Sequence, residues 1–159
     1  MTALVAANRP SEIDVPLFLH VLGAMALVGV LLATALAVVL AGRREGGEAT
    51  ALARLGLWTL VVGGVPAYLM MRIGAQWTAS REGLDDVPDD PTWLGIGYIT
   101  ADIGALLLLV SLVLAGFGLR RLRGDTARPS GLVRAVGGLA VLLLAAYLVA
   151  VWAMTTKPD

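Results

Sequence analysis

The chain reads as an all-α, polytopic membrane protein, an antiparallel bundle of four transmembrane helices. Three observations predict this. Four long apolar runs, Val15–Ala41, Leu55–Trp77, Trp93–Leu119 and Leu132–Met154, dominate the 159 residues, and about 20 apolar residues suffice to cross the hydrocarbon at 1.5 Å rise per residue. A content of 58% hydrophobic residues, with mean hydropathy of +0.82, leaves too little polar surface to cover a water-soluble globule. Arginine, finally, is concentrated in only two of the connecting segments. The net charge is zero, so the placement of the 12 Lys and Arg carries the information.

In the first span Asp14 is positioned as an N-cap, with Pro16 in the first helical turn. The run is longer than the apolar core of a signal peptide, lacks a basic leader and has no small-residue cleavage site, so it is expected to remain as a span. The connection after it carries Arg43, Arg44 and Arg54. Pro66, beside Gly63 and Gly64, interrupts the second span and predicts a bend there. The connection from Thr78 to Thr92 is acidic, with Glu82, Asp85, Asp86, Asp89 and Asp90 against Arg81, in a spacing unlike a calcium-binding loop. Asp90 and Pro91 can open the third span, and Ser130 can cap the fourth.

Between spans three and four lie Arg120, Arg121, Arg123, Arg128 and Arg134, whereas the N-terminus offers Arg9 and the C-terminus Lys157. Short arginine-rich loops stay on the cytoplasmic side, which puts both termini and the acidic connection outside. Trp77, Trp93 and Trp152 then fall at outer ends of spans and Trp58 at an inner end, where indoles settle among headgroups. Abundant Ala, Leu, Val and Arg beside scarce Lys suggests a GC-rich bacterium, and hence the bacterial cytoplasmic membrane.

A weak internal similarity relates the halves. Gly23-Ala24 matches Gly104-Ala105, and Ala67-Tyr68-Leu69 matches Ala146-Tyr147-Leu148, a pattern compatible with two parallel two-helix repeats. In lipid, helices associate through small residues that allow close approach. Gly29, Ala33, Ala37 and Ala41 in span one, Gly56, Gly63, Ala67 and Gly74 in span two, and Gly97, Ala101 and Ala105 in span three are therefore expected to make the bundle contacts or to join copies in a homodimer.

Three ionisable side chains interrupt the apolar runs: His20, Arg72 and Asp102. Counting from the estimated outer ends places His20 and Arg72 about 7 Å deep and Asp102 about 12 Å deep, near enough to meet. Because a charge in hydrocarbon costs at least roughly 2.5–3.5 kcal/mol, Arg72 and Asp102 should pair and face the interior or water. Tyr68 and Tyr98 each lie one turn before a charged partner and extend the polar faces. The functional expectation is a ligand-binding or proton-relaying pocket of His20, Tyr68, Arg72, Tyr98 and Asp102. The structural alternative is an ion pair with Arg72 reaching the headgroups and His20 bonded to a neighbouring helix.

Cysteine is absent, which removes disulfides, thiolate metal sites and thiol nucleophiles. No metal site and no cofactor is expected. His20, the single histidine, with Met25, Met70, Met71 and Met154 as soft companions, leaves haem or Cu(I) as the alternative. Nothing resembles a nucleic-acid surface or a phosphate-cradling loop.

Leu19-His20-Val21-Leu22-Gly23-Ala24, followed by Val28-Gly29, resembles the opening helix of a bacterial group of membrane proteins related to copper-resistance protein D. Trp93-Leu94 at the head of span three is similar to a feature of its four-span members. A more distant similarity is to the four-span, haem-dependent protoporphyrinogen oxidases, whose first helix also carries a histidine. The resemblance implies a four-span layout and singles out His20. The function expected is a non-enzymatic membrane protein, a small-ligand or ion-handling (transport) module or the accessory subunit of a larger membrane complex. A haem-linked oxidoreductase with His20 as axial ligand is the alternative.

Overall fold

A computed structural model describes residues 11–83, 92–122 and 131–157. They form four helices, α1 (Ser11–Gly42), α2 (Gly46–Glu82), α3 (Thr92–Arg121) and α4 (Gly131–Thr156), each long and apolar enough to cross a membrane. There is no strand among the described residues. The chain is an all-α four-helix bundle, an integral membrane protein by the length and composition of its helices.

The helices run alternately up and down. Gly74 lies against His20 and Gly56 against Thr34 and Ala37, so α2 returns along α1. Gly97 meets Met154, Gly104 meets Tyr147 and Gly118 approaches Val133, so α4 returns along α3. Each helix packs on its sequence neighbours, and α4 closes the ring onto α1. No close backbone approach joins α1 to α3 among the described residues. One end of the bundle therefore bears the start of α1, the close of α2, the start of α3 and the close of α4. The opposite end carries Arg43, Arg44, Arg54, Arg120, Arg121 and Arg134.

The α1–α2 interface is the most extensive, and glycine explains why. A Cβ on Gly74 would stand 2.8 Å from both His20 Cα and Pro16 O, and one on Gly23 would press into the Met70–Met71 backbone. Neither space admits a side chain, so the two backbones touch, as small residues permit in lipid. Thr34 adds a hydrogen bond from its Oγ1 to Gly56 O at 3.2 Å. Around this seam Leu27, Leu31, Leu57, Leu60, Val133, Val136 and Leu143 are fully enclosed. Phe18, Leu36, Leu55, Val62, Leu106, Leu109 and Leu142 point outward, the pattern of a surface that meets lipid.

Several sequence expectations are corrected here. The helices overrun the apolar runs, most of all α2, which begins nine residues before Leu55 because Ala49, Thr50 and Ala53 are buried beneath the other helices. Asp14 is not a cap: α1 is already helical at Ser11, and Pro16 is an internal residue. The α1 stripe is divided, since Ala37 and Ala41 are buried, whereas Gly29 and Ala33 face outward and a Cβ on Gly29 would meet nothing within 4 Å. The α2 stripe does pack: Gly56, Ala67 and Gly74 are buried and Gly63 meets Val30. Pro66, where the sequence predicts a bend, lies inside α2, which is helical on both sides of it.

The two halves share topology but differ in register. Equivalence to Gly104 on Tyr147 would seat Gly23 on Tyr68, yet the atoms nearest Gly23 belong to Met70 and Met71. α2 ends where Gly83 adopts the left-handed conformation (φ 69) and its N–H bonds Ala79 O, a closure that glycine makes without a Cβ penalty. The expected caps Asp90–Pro91 and Ser130, the acids Asp85, Asp86, Asp89 and Asp90, and Arg9, Arg123 and Arg128 lie outside the described residues.

Candidate functional site

Between the halves, at the end bearing the start of α1, the helices leave a cavity of about 590 Å³. Its origin is in the packing just described. Glycines draw α1 and α2 together, while α3 and α4 are held apart by the Met154 and Tyr147 side chains seated on Gly97 and Gly104. All four helices contribute walls, which are largely apolar, with Leu17, Val21, Ala24 and Val28 from α1 and Leu94 and Gly97 from α3. The polar lining groups include His20, Arg72, Thr78, Glu82, Tyr98, Thr100, Tyr147, Thr155 and Lys157.

His20 is held by a hydrogen bond between its Nδ1 and the backbone oxygen of Met71, 3.0 Å apart. A carbonyl oxygen only accepts, so Nδ1 is the donor. In a neutral ring Nε2 is then the lone-pair nitrogen, and it has no partner among the described residues. This bond is possible because Gly23 and Gly74 bring α1 and α2 into contact on either side of it.

Arg72 joins two elements. Its Nη2 lies 2.9 Å from Asp102 Oδ1 across the α2–α3 seam, and its Cζ stands 5.6 Å from the centroid of the Tyr98 ring, one turn earlier on α3. The cation thus meets a carboxylate and a π face together. The expected pair is formed, but Asp102 is not where the sequence placed it. Its side chain is 65% exposed, against 30% for Arg72, and Asp102 does not line the cavity.

Tyr68 also stands outside the lining. Its hydroxyl donates to Ala101 O at 3.3 Å, so it bolts α2 to α3 behind the wall. Of the five residues expected to share a pocket, the cavity brings together His20, Arg72 and Tyr98, while Tyr68 and Asp102 brace the α2–α3 wall from outside.

Sequence reasoning left Tyr147 outside the site, although it was visible as the repeat counterpart of Tyr68. It forms part of the lining, is 5% exposed, and its hydroxyl is buried over Gly104 without a hydrogen-bond partner among the described residues. Lys157 was missed as well. Its ammonium lies 5.0 Å from the centroid of the Trp93 ring, linking the close of α4 to the start of α3 at the cavity rim. The only signal for it was position, a cation a few residues beyond the last apolar turn.

Among the described residues no three His, Asp or Glu side chains gather as a metal site would need. The softer set of His20 with Met25, Met71 and Met154 does line the cavity. That set fits one axial imidazole: a ligating histidine ordinarily donates its other ring N–H to a carbonyl, as His20 does to Met71.

No family model matches the chain, and the comparisons with curated proteins and with solved structures found no match.

Proposed function

We propose that this is a non-enzymatic protein of the bacterial cytoplasmic membrane that admits a small ligand or ion to the four-helix cavity, with the cavity end facing outward. The orientation rests on the arginines gathered at the opposite end. The observation that carries the reading is the joining of His20, Arg72 and Tyr98 in one apolar-walled space that all four helices line. Ionisable groups within spans are expensive and are kept where they face a cavity or each other. Membership of the copper-resistance-protein-D-like group, carried by the segment around His20, is part of the same proposal, as is service as an accessory subunit.

The absence of cysteine provides a clean background for a test. A thiol reacts only where water lets it ionise. In the purified protein, Ala24→Cys, Ala75→Cys, Thr100→Cys and Ala150→Cys, one lining position from each helix, should react with a charged maleimide. The outward-facing Ala33→Cys and Ala145→Cys should not. Equal, slow reaction at all six positions would remove the hydrated cavity and the proposal with it.

The orientation of His20 favours one second reading, a haem-linked oxidoreductase. His20 would hold the iron, and Arg72 and Lys157 would meet the carboxylates. The group would supply one-electron chemistry. A Soret band lost in His20→Ala supports this reading, and colourless protein from haem-replete cells opposes it.

A further inference from the structure

We infer that the gap between α2 and α3 at the arginine-rich end binds the phosphate of an anionic phospholipid. The gap measures about 550 Å³ and is distinct from the cavity described above. It exists because α2 and α3 are the loosest of the sequence-adjacent helix pairs. The space beside Gly116, which lines it, is open: a Cβ there would meet nothing within 4 Å.

Arg54 and Arg120 line it from opposite helices, and no carboxylate among the described residues lines it. Arg54 donates one N–H to Leu122 O at the end of α3, which anchors the side chain across the seam. A guanidinium has five N–H donors, so the others remain for a ligand. Arg120 has no hydrogen bond or ion pair with any described residue. Planar, permanently charged forks of this kind match phosphate oxygens two at a time.

The remaining walls select a lipid over free phosphate. Trp58 lines the gap and is 54% exposed, as an indole in the headgroup layer is. Val61 and Leu112 continue the gap toward the middle of α2 and α3, giving apolar surface for an acyl chain beneath the charged mouth.

The test titrates the purified full chain in detergent with short-chain phosphatidylglycerol, phosphatidylcholine of the same chain length, or inorganic phosphate. Bound molecules are counted by native mass spectrometry. The wild type should prefer phosphatidylglycerol to phosphatidylcholine by about thirtyfold, the sum expected of two arginines beside one phosphate. R54Q/R120Q should abolish that preference. R43Q/R44Q, which removes two arginines from the same end but not from the gap, should keep it. Since Arg54 also caps α3, R120Q alone, with its thermal transition checked, serves where the double variant fails to fold, and it should lose about fivefold. Equal retention of the two lipids, equal loss in R43Q/R44Q, or tight binding of inorganic phosphate alone would each overturn the inference.

Discussion

Arg72 and Asp102 meet across the α2–α3 seam at 2.9 Å, although the arginine belongs to the cavity wall and the aspartate to the outer surface of the bundle. The pair keeps two charges satisfied inside apolar helices, and it turns the Arg72 cation toward Tyr98.

A double-mutant cycle reads this pair directly. Arg72→Ala leaves a carboxylate on the surface of an apolar helix with no cation, and should cost on the order of 2–3 kcal/mol. Arg72→Ala with Asp102→Ala should cost less than the single change, because no charge is then stranded. Thermal unfolding in detergent checks the order, and additive losses would show that the groups act independently.

Close approach of α1 and α2 depends on Gly74. Gly74→Ala places a Cβ against the His20 backbone and Pro16 O, where nothing can move aside, and should destabilise by roughly 1–3 kcal/mol. Gly29→Ala enters open space and should be neutral or stabilise by up to about 1 kcal/mol through helix propensity. Equal losses at the two sites in the same unfolding assay would contradict the packing.

The two tyrosines should respond in opposite directions to loss of the hydroxyl. Tyr68→Phe removes a bond to Ala101 O and should cost about 0.5–1.5 kcal/mol. Tyr147→Phe removes a buried hydroxyl that has no partner among the described residues, and should be neutral or stabilising by about 1 kcal/mol. A clear loss of stability in Tyr147→Phe, measured on the purified protein, would reveal a partner for that hydroxyl.

Apolar runs of the right length determine the four helices and their antiparallel order, and both are legible in the sequence because lipid leaves few alternatives. Helix ends are less legible. The run beginning at Leu55 marks where greasy surface is needed, whereas the helix from Gly46 is held by small residues, Ala49 and Ala53, buried against its neighbours.

Spacing alone does not tell which face is inward. Gly29 continues the same four-residue stripe as Ala37, yet points away from the bundle, while Gly23, outside the stripe, makes the closest backbone-to-backbone approach among the described residues. At the site, the sequence located the costly groups and the pairing of Arg72 with Asp102. It did not separate lining from bracing, because that depends on how far the glycines let each helix pair close. Tyr147 stood out only as the repeat counterpart of Tyr68, which says nothing of a cavity, and Lys157 carried no pattern that set it apart from an ordinary helix end.

The central claim is a cavity that opens on the outer face of a membrane, and sided labelling of single cysteines in intact cells tests it most directly. Ser80→Cys, exposed in the last turn of α2 beside the cavity end, and Ala75→Cys in its wall should react with an impermeant maleimide added outside. Gly47→Cys, exposed at the arginine-rich end, should react only after the cells are permeabilised. Labelling of Gly47→Cys from outside, with Ser80→Cys and Ala75→Cys protected until permeabilisation, would contradict the account.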